Sequence, residues 1–506
     1  MEMDFIREWL LEETQGKPRF RTAFLSTVVF FLLGNGYAYV NAYPIHDGII
    51  YAVPETTLWQ LVLGRFLIPV YYGIRGGVPT PIPILLLCLL YLGVSHHLIC
   101  LMLDLRKRLE IMVVCAFLSI NMFAFEISAV HQYFADVFLL SLLFSCLGVY
   151  MLHDGISVRK MALSVALFFV SFGLYPAFLT FAVCMFMLLT LKNMYEGKAE
   201  GLVRKGAAWI FSVTTAGLLY LVGSRIALLV TKMEPSKSNQ SIFSLGDFPI
   251  SRIGLSVIRN CVFFVRRVFF STASCGISGV IATVLLALTA LVLLFRCRPF
   301  ADRVMTVIFF LAFPVVSRAV NIVTRNINSH RTVYAQYLFL PALIWMFFVG
   351  VRGMKEEHTR KLMMPIILLS AVILWNNLQF SNYGFLYQRV LYDRTVYHVG
   401  QVLEDYADLE AQDREKPVVI IGQFQLDQEE EAYVKYRSVE GFNSSTGINY
   451  EKAFVAFAAR MGYQLNCHQE YAERIKQTDE VKEMPIYPEN GYIAEVDGCL
   501  VIKLKN

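Results

Sequence analysis

His46 and Asp47 stand side by side just after Tyr43-Pro44, and Trp59-Gln-Leu-Val-Leu-Gly64-Arg65 follows about a dozen residues later. A carboxylate beside an imidazole can take a proton from an attacking hydroxyl, and a guanidinium offers a planar fork of donors that matches phosphate oxygens. Related groups recur further on. Glu126, His131 and Asp136 flank a second turn, Tyr175-Pro176 interrupts an apolar run, and Arg318, Arg325, His330 and Arg331 surround a later turn. One carboxylate and an arginine clamp suffice for a single inverting displacement at a sugar carbon with phosphate leaving, and that chemistry needs no metal. No Cys/His spacing of zinc type is present. Each residue also has a plainer reading. Asp47-Gly48 is a turn dipeptide, Arg65 can snorkel to an interface, and Asp136 can pair with Arg318 or His131. Tyr175-Pro176 suits a turn, and His96-His97, inside an apolar run, suits packed polar contacts rather than a metal.

The elements that must hold these groups are membrane helices. The 506 residues are 56% hydrophobic and only 17% charged, with a mean hydropathy of +0.51. Soluble domains carry about 25% charged residues, so the composition reads as a polytopic membrane protein, mainly α. The net charge of +5 does not point to nucleic acid, because Lys and Arg gather in short loops where they orient spans. No cleavable signal peptide is evident: residues 1–21 read as a cytoplasmic leader with Lys17, Arg19 and Arg21 before the first span.

Alternating the sides of the basic loops predicts about eleven spans. They are Ala23–Val40, Ile84–Leu103, Ile111–Phe125, Phe134–Leu152, a hairpin of two within Met161–Leu191 turning at Gly173–Pro176, Ala207–Val230, Gly279–Phe295, Val304–Val323, Val333–Val351 and Met363–Leu378. Residues 22–380 then form one transmembrane catalytic domain with outward loops 41–80, 231–277 and 324–332. Ile253–Phe270, with Arg252, Arg259, Arg266 and Arg267, reads as a helix in the interface plane. On this count Asp47, Arg65, Arg75, Glu126, His131, Asp136, Tyr175, Arg318, Arg325 and Arg331 all reach one outer face, and ionisable groups at that depth suggest a polar cavity for an anion.

Residues 381–506 change character and predict a small extracytoplasmic α/β domain. Val390–Leu409 reads as a helix, Pro417–Gly422 as a strand, and Asp497-Gly498 as a hairpin turn between apolar runs. Of the ten cysteines most lie in apolar runs; Cys467 and Cys499 do not, and in an oxidising compartment they could pair.

The chain resembles the bacterial type II Gtr glucosyltransferases, of GT-C architecture. The likeness rests on Tyr43-Pro-Ile-His-Asp47-Gly, Trp59, Gly64-Arg65, Ser171–Tyr175, and the closing Met484-Pro-Ile-Tyr-Pro488, Val496-Asp-Gly498 and Val501-Ile-Lys-Leu. The resemblance implies a polyprenyl-phosphate-glucose donor used on the outer face of the bacterial inner membrane. It implies a surface polysaccharide acceptor such as O-antigen or its lipid-linked precursor, no further cofactor, and upstream partners: a flippase and a polyprenyl-phosphate-sugar synthase. It makes Asp47 the catalytic base and, by topology, puts Arg325 and Arg331 on the donor phosphate; the polar cavity read from the residues adds Arg65 to the phosphate and His46, Glu126, His131, Asp136 and Tyr175 in support, with His46 either assisting or packing. Two rival readings share the cavity: a transporter or flippase of a lipid-linked sugar, and a polymerase or ligase using a lipid diphosphate. The lack of an internal repeat and the clustering of polar groups at one face favour the transferase.

Overall fold

The computed structural model describes residues 12–41, 58–76, 80–198, 200–234, 250–271, 276–297, 299–324, 332–352, 354, 356–422 and 451–504. The chain divides into two compact units. One is Met1–Val40, Pro54–Ser128 and Tyr133–Asn382; the other is Asn41–Val53, Ala129–Gln132 and Tyr383–Asn506.

The first unit is helical. In chain order its helices are α1 (Lys17–Asn41), α2 (Leu58–Val62), α3 (Ile68–Arg75), α4 (Pro81–Met102), α5 (Arg108–Ser119), α6 (Met122–Ala129), α7 (Ala135–His153), α8 (Val158–Leu174) and α9 (Phe178–Tyr195). There follow α10 (Leu202–Thr231), α11 (Ile250–Phe269), α12 (Ile277–Cys297), α13 (Phe300–Ser317), α14 (Ala319–Thr324), α15 (Phe339–Val351) and α16 (Glu356–Ala407), whose residues from Tyr383 on belong to the second unit. All eleven expected apolar segments are helical, but not all are full spans. Among the described residues eight helices are long and apolar enough to cross a membrane, or nine if α5 and α6, bent by 46°, count as one crossing. Of the other two, α8 has 17 residues, about 26 Å against the ~30 Å hydrocarbon core, because Pro176 follows its end. The second, α12, has 21 residues, and its fully described part, Ile277–Val292, is a shorter apolar helix of 10–17 residues. The expected hairpin is present, since α8 and α9 break at Tyr175–Ala177.

Large apolar side chains that stay exposed, such as Leu218, Val222, Ile226 and Leu229 on α10, present the surface that lipid covers. Between helices, small residues allow close approach. Phe168 of α8 fills the space over Gly148 of α7, and Ser141 and Ser171 each donate to the other's carbonyl at 2.8 Å. The α5–α6 bend leaves backbone groups to be satisfied, and Asn121 does much of this. Its amide donates to Leu118 O (2.7 Å) and its carbonyl accepts from Ala124 N (3.1 Å).

The second unit holds a three-stranded sheet in the order β1 (Val418–Ile421), β3 (Cys499–Lys503), β2 (Ile493–Val496), with β1 parallel and β2 antiparallel to β3. Asp497 and Gly498 both take positive φ, 52° and 74°, which closes the β2–β3 hairpin as its turn dipeptide predicts. Alternation puts Val418, Ile420, Leu500 and Ile502 against Val399, Leu403 and Phe454 on one face. Val419, Ile421, Val501 and Cys499 face Ile475 and Val481 on the other. Cys467 packs with the first cluster and Cys499 with the second, and the suggested disulfide between them is not formed.

Candidate functional site

The first unit has two polar ends. At one, residues 12–14 run antiparallel beside 106–108: Thr14 N donates to Arg106 O (2.8 Å) and Arg108 N to Glu12 O (3.3 Å). Around that strip Arg19 lies 3.8 Å from Asp104, Lys192 Nζ donates to Met102 O (2.7 Å), and Arg352 Nη2 donates to Asp104 O (3.1 Å). Basic residues that the sequence assigns to one side of the membrane, from α1, α5, α9 and α15, therefore meet at one end.

The opposite ends of α7 and α8 carry the expected acid–cation group. Gly64 takes a φ of +78°, which favours glycine, and an ideal Cβ there would meet the Tyr220 hydroxyl at 2.5 Å. The turn it permits seats Leu67 N on Gly173 O (3.0 Å) and brings Arg65 over the Tyr175 ring, 4.7 Å from its centroid. Arg65 Nη1 also donates to Gln60 Oε1 (2.9 Å). A guanidinium stacked on an aromatic face is held in a defined plane by cation–π attraction.

Asp136 is different. Its Oδ1 accepts from Arg75 Nη1 at 2.6 Å and its Oδ2 accepts from Tyr71 OH at 2.7 Å. The carboxylate is fully buried and Arg75 nearly so. Burial and the Asp136 carboxylate push the Tyr71 phenol up from its usual value, so it remains a donor. Both Asp136 oxygens are thus engaged, and the pair fastens α3 to the start of α7. The partner is Arg75 rather than Arg318 or His131, because Tyr71 and Arg75, four residues apart, share one face of α3. Arg75 also lies over the Tyr72 ring at 4.4 Å.

A second cluster sits beside the α5–α6 bend. Glu126 on α6 is fully buried, and Tyr337 lies within electrostatic reach of Arg267, Glu126 and Arg318. Arg318, also buried, donates to Asn260 Oδ1 (3.0 Å) and Gln336 Oε1 (2.8 Å). A cavity of about 30 Å³ opens beside Asn121, Arg267, Gln336 and Tyr337, room for one or two waters. The described residues thus place polar side chains around Arg65, Arg75, Asp136 and Tyr175, and around Glu126, Arg318 and Tyr337.

His131 is buried in the Ala129–Gln132 segment that groups with the second unit. His46, Asp47, Arg325, His330 and Arg331 lie outside the described residues. Among the described residues no three His, Cys, Asp or Glu side chains gather as a metal site. His96 packs as a core group, its Nδ1 2.9 Å from Thr27 Oγ1. Sequence reasoning passed over Gln60, Tyr71, Asn260, Gln336 and Tyr337, since a polar residue in an apolar run shows no partner until helices pack.

Residues 36–351 match the family described as Glucosyl transferase GtrII, which is more than half of the chain. The chain belongs to that family. It is thus a membrane glucosyltransferase, and the match covers Asp47, Arg65, Asp136, Tyr175, Arg325 and Arg331. The matched residues stop before α16 and the sheet, so the closing Met484–Leu504 pattern lies outside them. No curated protein and no solved structure matches the chain.

Proposed function

We propose that this GtrII glucosyltransferase takes glucose from a polyprenyl-phosphate donor and places it on a cell-envelope polysaccharide, such as O-antigen or its lipid-linked precursor, at the outer face of the bacterial inner membrane. A GT-C-type mechanism follows. Asp47, with His46 beside it, removes the proton from the acceptor hydroxyl as its oxygen attacks the anomeric carbon. The bond between that carbon and the phosphate oxygen breaks with inversion, and the polyprenyl phosphate leaves with the electron pair. Arg65, Arg325 and Arg331 take up the charge that gathers on the leaving phosphate. A flippase and a polyprenyl-phosphate-sugar synthase would supply the donor.

One observation carries the reading: Arg65 lies over the Tyr175 ring at the end of the first unit opposite the Arg19–Arg106–Lys192–Arg352 end. The positive-inside rule puts the latter in the cytoplasm, which supports an outward site. Asp136 is spent on Arg75 and Tyr71, and that favours Asp47 as the base.

The test is transfer of radiolabelled glucose from polyprenyl phosphate to acceptor by wild type and Asp47→Asn. The variant should bind donor and lose turnover by ~10²-fold or more. Undiminished turnover would remove Asp47 from the mechanism. The bent α5–α6 helix, with Glu126 one turn past the break, favours a second reading, since broken helices mark transporter sites. Movement of labelled lipid across vesicles without transfer would establish it.

A further inference from the structure

At the basic end of the first unit an open groove of about 1060 Å³ runs between α1 and the start of α5. Its mouth carries Lys17, Arg21 and Arg108, and its walls carry Phe20, Phe24, Leu25, Val29, Phe30 and Met112. The order along each helix is regular. Lys17, Arg21, Leu25 and Val29 follow at four-residue intervals down one face of α1, and Arg108 and Met112 do the same on α5. Charge lies at the top and apolar surface below on both walls.

The groove is held open by packing rather than left over. The pairing of residues 12–14 with 106–108 fixes the two helix starts side by side. Phe24 lies over the bare backbone of Gly93, where an ideal Cβ would meet its ring at 2.5 Å, and Phe20 stacks on Phe24 with centroids 5.6 Å apart. Arg19, two residues from Lys17, turns the other way and donates to Thr14 O. Arg108 carries Glu12 at 2.6 Å, so headgroup binding falls chiefly to Lys17 and Arg21, both exposed. Among the described residues no carboxylate pairs with either.

We infer that this groove is a binding site for an anionic phospholipid, the phosphate headgroup held by Lys17 and Arg21 and one acyl chain laid along Phe24, Leu25, Val29 and Met112. The dimensions fit. From Lys17 to Val29 the helix rises about 18 Å, close to the ~15 Å depth of one hydrocarbon leaflet. The sign fits as well: each surface Lys or Arg strengthens attachment to anionic lipid, and zwitterionic lipid gains nothing comparable. The site lies at the opposite end from Arg65 and Tyr175, so it is separate from donor binding and does not depend on the transfer chemistry.

The experiment uses the full chain in detergent, titrated with palmitoyl-oleoyl phosphatidylglycerol or the matching phosphatidylcholine and read by native mass spectrometry. Wild type should retain one phosphatidylglycerol per chain in preference to phosphatidylcholine. Lys17→Gln/Arg21→Gln should bind it roughly thirtyfold more weakly, two cations at about 1 kcal/mol each with 1.4 kcal/mol per decade. Leu25→Trp, which keeps both charges but fills the groove, should also weaken it at least tenfold. Arg159→Gln/Lys160→Gln, two exposed cations at the start of α8, should leave it within twofold. Equal retention of the two lipids, or equal loss in the α8 control, would overturn the site. So would a tenfold gain in a variant lacking residues 2–11, because the groove would then belong to the chain's own N-terminal segment. Competition by polyprenyl phosphate at equal concentration would reassign it to the donor lipid. Unchanged thermal midpoints in both groove variants separate loss of lipid from loss of fold.

Discussion

Replacing Asp136 by Asn separates an anchor from a catalytic acid. The pair it breaks is short and dry: Arg75 Nη1 lies 2.6 Å from Oδ1, with the two side chains 6% and 0% exposed. At that separation and an effective dielectric constant near 20, gross attraction is about 6 kcal/mol, most of it offset by the desolvation of two ions. Removing one partner keeps the desolvation and loses the attraction, so Arg75 stays buried and unpaired. The expected cost is ~3–5 kcal/mol, with Tyr71 OH losing its charged acceptor as well. Asp136→Asn should therefore show a clearly lowered unfolding midpoint in detergent, followed by tryptophan fluorescence. Arg75→Met/Asp136→Leu removes both charges together and should recover most of that loss. In a double-mutant cycle the two single losses should exceed the double loss by at least 2 kcal/mol. Transfer activity should follow stability and return in the double variant. A double variant as stable as wild type but slower by 10²-fold or more would refute the anchor reasoning and give Asp136 a role in the chemistry. Additive losses would refute the coupling itself.

Gly64→Ala forces a left-handed backbone at a cost of about 1–2 kcal/mol and drives a methyl into the Tyr220 hydroxyl. It should lower the unfolding midpoint and raise KM for donor lipid, both read on the same preparation. Arg65→Lys keeps the charge but loses the planar fork and the Tyr175 stacking, so KM for donor should rise about tenfold while the midpoint stays unchanged. Burial raises the Asp104 carboxyl, but its hydrogen bonds and proximity to Arg106, then Lys192 and Arg19, outweigh that and hold it below its usual value. Its contribution to stability is therefore present above about pH 4 and lost as pH falls through the lower folded value. Midpoints of wild type and Asp104→Asn should differ at pH 6 and converge as pH falls through that lowered value; a constant difference would remove Asp104 from the acid response.

Much of this protein is legible in the one-dimensional chain because lipid imposes a simple demand. A crossing needs about twenty apolar residues with its backbone bonded internally, so composition marks α1, α4, α7, α9, α10 and α15 directly. Local rules also reach the α8–α9 turn, where Pro176 cannot continue a helix, and the Asp497-Gly498 hairpin, where two positive φ angles need those residue types. The alternation of Lys and Arg loops anticipates which helix ends gather around Asp104. Pairings are another matter. Nothing within α3 or α7 says that Asp136 takes Arg75 and Tyr71, since the partners lie about sixty residues apart and meet only when the helices pack. The same holds for Cys467 and Cys499, which pack in the clusters on opposite faces of the sheet, and for the bend that buries Glu126 beside Tyr337. Sequence determined which segments enter the membrane, because burial in lipid depends on each segment's own surface. Tertiary structure decided which charges are anchors, because a buried ion is settled only by the partner that packing brings within 3 Å.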